Sequence, residues 1–438
     1  MRVAYVSSDP GVPVFGRKGS SVHVQAVLRE LVRAGAEVHV VTTRPGGDVP
    51  ADLSGVVVHE VPVAPTASTA EREVALQDAD AHVPGILTGI AAAGDGERGL
   101  DLIYERYSLW GTAATAWARD ANVPSVLEVN APLVAEQRTH RELVDEAGAE
   151  RCARAAVGAA TAVVAVSGPV AAWAADLAGE HPEKVHVLSN GVDTARITPR
   201  ALTRASTDGS RDLPHSSRGR IPPEVEGALA PVNASARRMR QVPAQFTVLF
   251  VGTLKPWHGL DVLVDAFAGL RARIPGARLL LVGDGPEREA VLARADALGV
   301  GDGVEHAGAV PPSDVPALLH RADVAVAPYP PLDDFYFSPL KVYEYLAAGL
   351  PVVASAVGEL PDTLEHGRAG VLVPPGDAGA LADALVALAH DAERRAALGA
   401  RAREVAVERH DWSVVVRRAL GFADVVLPGR EPAGAHHG

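Results

Sequence analysis

The feature that most limits what this chain can fold into is an alternation that occurs twice. Short Val-rich runs are each followed by a stretch long enough for an amphipathic helix. In the first half these are "RVAYVSS", "EVHVVTT", "VVVHEVPV", "LDLIYER", "PSVLEVN", "TAVVAVS" and "KVHVLSNGVD", with a helix expected over Ser20–Ala34. In the second half "FTVLFVG", "ARLLLVGDG", "GVEHAG", "DVAVAPY", "LPVVAS" and "GVLVPPG" repeat the design. Strands that are apolar throughout, rather than every second residue, are buried on both faces, which predicts parallel sheets covered by helices on each side. Between the two series, Arg196–Gln245 is rich in Pro, Ser, Arg and Ala and has no periodicity. It reads as a linker carrying a long, mobile insertion. A chain of 438 residues also exceeds what one ordinary core accommodates. The expected architecture is two doubly wound α/β domains, residues 1–195 and 246–410, joined by the 196–245 linker and followed by a terminal segment, 411–438. Ala378–Arg409 reads as one long charged helical region, "HDWSVVVRRALGFADVVL" as a last helix, and the tail after Pro428 as frayed.

Charge and cysteine content then exclude several function classes. Lys plus Arg total 41 against 54 Asp plus Glu, a formal charge of −13. This argues against nucleic acid as the main partner and leaves no polybasic membrane patch. Cys152 is the only cysteine, so neither an internal disulfide nor a cysteine metal cluster is available. "MRVAYVSSDP" begins directly with a strand rather than an apolar leader, and the expected location is cytoplasmic. Ala155–Ala175 is uncharged and near transmembrane length, but Ser167-Gly168-Pro169 interrupts it; helix end, buried strand, turn and new helix is the better reading. The oligomeric state is not legible, and no short repeat is present.

In such sheets ligands gather at the carboxyl ends of the strands, so the loops there carry the chemistry. "VFGRKGSS" joins the first strand to the first helix: Gly16 and Gly19 permit close backbone approach, Arg17 and Lys18 add charge, and the helix start suits a phosphate. Standing alone, it reads better as an ordinary glycine-containing strand–helix turn. "VGTLKPWHGLDVLVDAF" repeats the arrangement in the second half, with Thr253, Lys255 and His258 before a helix. "VGDGPERE", with Gly283, is a turn of common composition. In "SPLKVYEYLAAGLPVVAS", Ser338 and Pro339 are placed as helix N-cap and first helical residue, leaving the amides around Leu340 and Lys341 open to an anion. Glu344 falls a turn later, at helical spacing from Lys341, so a surface ion pair is the plain alternative. There is no G-x-S-x-G elbow, no H-E-x-x-H and no credible metal cluster; the "DAD" at Asp78–Asp80 reads as a solvated helix face.

Taken in order, the N-terminal glycine loop, "SNGVD" (Ser189–Asp193), "FVGTLKPWHG", "LLLVGDGP", "ADVAVAPY" and "EYLAAGLPVV" resemble the retaining glycosyltransferases of family 4 over almost the whole chain. The resemblance implies the GT-B fold: two Rossmann-like domains facing a cleft, an acceptor-binding one at the N-terminus and a nucleotide-sugar-binding one at the C-terminus. The helix near Trp412 would cross back to the N-terminal domain. Glu344 matches the second glutamate of the family's E-x7-E motif, a carboxylate suited to the ribose hydroxyls. The first glutamate falls on Tyr336, with Asp333 or Asp334 as possible substitutes. The usual diphosphate-binding Arg and Lys fall on Thr253 and His258, so Lys255, assisted by Lys341 or a protonated His258, is expected to carry that charge. Asn130 stands where the family has a histidine near the sugar, and Arg106 is on a neighbouring strand end. Glu305, His306, Ala307 and Gly308 are expected to line the nucleobase.

The implied chemistry needs no metal, cofactor or protein nucleophile, because positive charge and helix N-termini stabilise the departing diphosphate. The expected activity is retaining transfer from a UDP- or GDP-sugar to a small soluble acceptor in specialised, antibiotic-type metabolism. The alternatives are a cell-envelope lipid or polysaccharide acceptor, a nucleotide-sugar epimerase, and a non-catalytic nucleotide-sugar-binding protein.

Overall fold

The computed structural model describes residues 1–93, 99–200, 245–332, 335–336 and 338–428. The insertion expected within 196–245, the tail, and Asp333 and Asp334 lie largely or wholly outside them. Seven strands form the first sheet: β1 (Arg2–Ser7), β2 (Glu37–Thr42), β3 (Val57–Glu60), β4 (Leu102–Arg106), β5 (Ser125–Val129), β6 (Ala162–Ala165) and β7 (Val185–Val187). Six form the second: β8 (Phe246–Val251), β9 (Ala277–Val282), β10 (Val304–Gly308), β11 (Val324–Ala327), β12 (Val352–Ser355) and β13 (Val371–Val373). Each lies within a Val-rich run expected to be a strand.

The orders are β3-β2-β1-β4-β5-β6-β7 and β10-β9-β8-β11-β12-β13. Every named pair is parallel. Numbered from its own first strand, each sheet therefore reverses direction between strands one and four. The β1/β4 and β8/β11 edges are the switch points where loops part and leave a crevice. Both Gly16–Gly19 and Thr253–His258 leave the sheet there.

The chain crosses between the domains at its end. Val192 and Asp411 form an isolated parallel bridge. The helix Trp412–Gly421 then buries Val415, Val416, Ala419 and Leu420 in the first domain's core, among Val3, Tyr5, Val24 and Leu28. Arg403 ties the same junction with hydrogen bonds to the carbonyls of Thr194, Ile197 and Ala347 at 2.8–2.9 Å.

Three local expectations change. Ala378–Arg409 is not one helix: it divides at Asp391 into Ala378–His390 and Ala392–Val405, because Asp391 accepts the Arg394 N–H (3.0 Å) and caps the second helix. A π-helical turn, Ala406–His410, follows. The helix before "AAGLPVV" starts one residue later than expected. Pro339, not Ser338, holds the cap position, since Leu340 N–H bonds the Ser338 carbonyl (3.0 Å) and Val342 N–H that of Pro339 (2.8 Å). Asp80 is buried rather than solvated: its carboxylate accepts the Thr112 and Ala113 N–H groups (2.9 and 3.0 Å) and caps the helix Ala113–Asp120. Ala155–Ala175 resolves into a helix end, β6 and the helix Gly168–Ala178. Among the described residues no helix is long and apolar enough to cross a membrane.

Candidate functional site

Two helix starts meet across the cleft. The helix Gly19–Arg33 follows the glycine loop of β1, and the helix Leu340–Ala347 follows the loop after β11. A Cβ on Gly19 would lie 3.8 Å from Leu340 Cδ1. Neither helix has a side chain hydrogen-bonded to its first turn. The first start leaves the Gly19, Ser20 and Ser21 N–H groups open, whereas at the second the Ser338 and Pro339 carbonyls already take those of Leu340 and Val342, so the Lys341 amide, not the Leu340 amide expected from the sequence, is the one left to an anion. Arg17 and Lys18 are exposed beside it. Gly16 is required by packing, since a Cβ there would stand 2.7 Å from both Pro13 and Ser21 Oγ.

On the second domain's side the backbone is drawn in equally tightly. Gly252 and Gly283 both have positive φ (143° and 131°), and a Cβ on Gly283 would collide with the Gly252 carbonyl. At Gly252 the closest side chain is Lys341, whose Cε and Nζ would stand 3.1 and 3.4 Å from an added Cβ. The Lys341 ammonium is buried and has no hydrogen-bond partner; it rests on the rings of Phe250 (4.5 Å) and Tyr329 (4.9 Å). Burial lowers its pKa to about 7, the nearby Glu344 only partly opposing this. Glu344 is half-buried on the same helix, so the pair is not the exposed helix pair that spacing alone allows. Burial raises its carboxyl to about 7, against the pull of Arg196 and Lys341.

His258 does not supply the second positive charge. Burial, then the Lys341 charge, push it down to about 4, so it is neutral near pH 7; its Nδ1 lies 2.5 Å from the Thr253 carbonyl. Lys255 lies over the exposed Trp257 ring (5.3 Å) at the rim. Lys341 is thus the buried cation of this site, with Lys255, Arg17 and Lys18 around it.

A cavity of about 1070 Å³ opens between the domains. Gly16, Arg17 and Gly19 line one wall and Gly252, Leu340 and Glu344 the other. Glu305, His306 and Ala307 do not line it. Glu305 pairs instead with Arg321 (2.6 Å), and His306 Nε2 lies 2.8 Å from the Gly283 carbonyl, holding that turn. The cavity wall comes a few residues later, from Val310, Pro312, Ser313 and Val315, and Arg196 reaches it through the Pro312 carbonyl (2.7 Å). Strand β10 ends before the cleft, so the loop after it is what arrives there.

Arg106 and Asn130 meet on a residue that sequence reasoning passed over. Glu128, on β5, accepts from Arg106 (3.1 Å), from Asn130 and from Tyr104 (2.8 Å), and His23 Nε2 stands 2.9 Å away. Burial opposes its ionisation, but His23, then Arg106 and Asn130, outweigh that and hold it at about 2. The signal was present: a carboxylate in the apolar run "SVLEV" needs partners. Below it, a second pocket of about 250 Å³ sits at the ends of β1 and β4, entirely in the first domain, lined by Asp9, Arg72, Glu73, Asp80, Trp110 and Arg141 among others. Among the described residues no group of three or more His, Cys, Asp or Glu is arranged to hold a metal.

Two facing Rossmann-like domains with a nucleotide-sized cleft between them define the GT-B class of glycosyltransferases. Residues 17–196 match the family model described as Glycosyltransferase Family 4, and residues 245–391 the one described as Glycosyl transferases group 1. A D-inositol 3-phosphate glycosyltransferase of Salinispora tropica is 31% identical over 423 residues, covering 92% of this chain and 80% of that protein. A phosphatidyl-myo-inositol mannosyltransferase of Mycobacterium leprae is 38% identical over 184 residues, 41% of this chain. A GDP-mannose-dependent alpha-(1-6)-phosphatidylinositol monomannoside mannosyltransferase of Mycobacterium tuberculosis is 32% identical over 192 residues, 43% of this chain. The matches span only about half the length of these last two relatives, 46% and 50%. Among solved structures, Anabaena Alr3699/HepE in complex with UDP superposes with a TM-score of 0.65 at 19% identity, covering 97% of this chain and all of that one. The glycosyltransferase WaaG does so at 0.60 and 17%, covering 96% and 99%. The chain belongs to glycosyltransferase family 4.

Proposed function

We propose that the chain moves a glycosyl group from a nucleotide-diphosphate sugar to an inositol-bearing acceptor of the cell envelope, with retention of configuration. The observation that carries the donor side is the pair of helix starts facing each other across the 1070 Å³ cavity, with Glu344 on its wall and Lys341 packed against the wall residue Gly252. The diphosphate lies between the two starts and takes its positive charge from Lys341 and Lys255, with Arg17 and Lys18 at the opposite edge. Glu344 accepts the ribose hydroxyls, and the base rests on the Val310–Val315 loop. The bond from the sugar's anomeric carbon to phosphate breaks, the acceptor oxygen bonds that carbon from the same face, and its proton passes to the departing phosphate. The chain's own cations supply the charge this step demands.

The acceptor reading draws on the relatives' names, two of which carry phosphatidylinositol and one D-inositol 3-phosphate. It displaces the antibiotic-type acceptor expected from the sequence and favours the envelope alternative. The first-domain pocket fits such a molecule: Asp9 and the unpartnered Asp80 Oδ1 offer acceptors to ring hydroxyls, while Glu73 is held by the Val144 and Asp145 N–H groups, and Arg72 and Arg141 on its lining offer charge to a phosphate. Arg106 and Asn130, held by Glu128, act as positioning groups on the same domain.

The test is turnover of GDP-mannose and UDP-glucose with inositol phosphate and, separately, with vesicles containing phosphatidylinositol. Transfer to the phosphatidylinositol vesicles, with the anomeric configuration retained by NMR, supports the proposal; transfer to inositol phosphate alone keeps the inositol ring as acceptor and overturns its place in the envelope. Nucleotide binding without transfer to either acceptor overturns the acceptor assignment.

A further inference from the structure

We propose that Ser167 and Glu359 are positioning residues that latch the two domains closed, and that Tyr336 serves as the latch's anchor rather than as a reader of the donor sugar. The kinetic part of this rests on the glycosyltransferase reading; the structural part does not.

The helix Gly168–Ala178 in the first domain is capped by the second domain. Ser167 holds its N-cap position, where a serine ordinarily accepts an N–H from its own first turn, yet it makes no such bond. Its hydroxyl instead donates to the Tyr336 carbonyl at 2.6 Å, 169 residues away in the chain. The helix's first N–H, that of Gly168, donates to Glu359 Oε1 at 2.8 Å, 191 residues away. A carboxylate on a helix start is favoured by the helix dipole as well as by the hydrogen bond. A Cβ on Gly168 would stand 3.3 Å from that same oxygen, so glycine lets the carboxylate close in.

The two contact points are one unit on the second domain. Gly358 has φ of 51°, and a Cβ there would collide with the Phe335 ring, so the turn before Glu359 is packed directly on the residue before Tyr336. The Tyr336 side chain itself packs against the first domain's cluster of Tyr107, Trp110, Leu127, Val166 and Val170. A glutamate at 336 would bring a carboxylate into that apolar contact, which accounts for the motif's departure here. The junction around Val192, Thr194, Arg403 and Asp411 holds the domains where the chain crosses. The Ser167–Tyr336 and Gly168–Glu359 contacts join segments far apart in the chain, and they have to break for the cleft to widen. Tyr336 lies four residues before the Leu340 helix start, so closing this contact also sets the phosphate-facing turn in place.

The experiment uses the full chain with Ser167→Ala/Glu359→Gln, Gly168→Ala and Tyr336→Glu. In small-angle scattering without ligand, each is expected to have a larger radius of gyration than the parent and a broader distance distribution. Nucleotide diphosphate affinity by calorimetry is expected to fall about fivefold, because only the closed fraction binds fully. A radius unchanged in all three variants overturns the latch whatever the substrate proves to be. Tyr336→Glu raising kcat/KM with unchanged scattering overturns the anchor role and makes position 336 a sugar contact. Should the double variant fold poorly, Gly168→Ala, which adds one methyl group, decides the matter by the same scattering readout.

Discussion

Glu128 in the first domain and Lys341 in the second are both buried charges near the carboxyl edges of parallel sheets, and they have been finished in opposite ways. Glu128 is surrounded by Tyr104, Arg106, Asn130 and His23, and its carboxyl is held at about 2. Lys341 has two aromatic rings and no hydrogen-bond partner, and burial leaves it at about 7. A charge completed by its own fold stabilises that fold. A charge left incomplete costs stability until a ligand of opposite sign arrives. Glu128 is thus a structural charge and Lys341 a binding one, and each role can be tested separately.

The largest effect is expected at Glu128. Glu128→Gln removes the charge that Arg106 and His23 surround, and breaking such a buried pair costs roughly 3–5 kcal/mol, read from urea unfolding. The sign with pH follows from the depressed folded pKa. The contribution is complete above the ordinary carboxylate value of 4.5 and is lost as pH falls through about 2. The variant's stability should therefore vary less than the parent's between those limits. An equal acid dependence in both would remove Glu128 from the role given to it here.

Lys341→Met should move the opposite way. Filling the site with an apolar chain of similar length is expected to stabilise the ligand-free protein by about 1 kcal/mol, while nucleotide diphosphate affinity drops at least tenfold. Loss of both stability and binding would make Lys341 a structural residue like Glu128. The pH dependence sharpens the point: inorganic pyrophosphate, which has no ribose, should bind more weakly as pH rises from 6 to 8, because Lys341 loses its proton through about 7. Lys341→Met should flatten that slope in calorimetry.

The smallest effect belongs to the rim. Lys255 lies over the exposed Trp257, and Trp257→Ala should change stability by less than about 0.5 kcal/mol, as surface substitutions do. A few-fold loss of donor affinity would place Lys255 on the diphosphate; no change would leave that charge to Lys341.

The sheets were the easiest part to read from the sequence, because strands buried on both faces carry continuous Val-rich runs and the helices between them differ so plainly. Thirteen runs gave thirteen strands. The helix starts at Gly19 and Leu340 were legible to within a residue from glycine, serine and proline placement. Three things were not. That the two starts face each other depends on the packing of separate domains, which no local pattern encodes. The Glu128 cluster assembles from β4, β5 and the first helix, so its members are far apart in sequence. His258 looked like a cation because its spacing suited a phosphate, but spacing carries no information about burial, and burial decides its charge. Tyr336 was visible as a departure from the motif; its neighbours Ser167 and Glu359 explain it only in three dimensions.

The proposed donor site is the cleft between the Gly19 and Leu340 helix starts, with Lys341 on the phosphates of a nucleotide diphosphate and Glu344 on its ribose. Calorimetric titration of GDP and UDP into the parent chain, Lys341→Met and Glu344→Gln tests it most directly. One saturable site is expected for at least one nucleotide in the parent, weakened at least tenfold in each variant. Binding of equal strength in all three, or no binding by the parent, would contradict it.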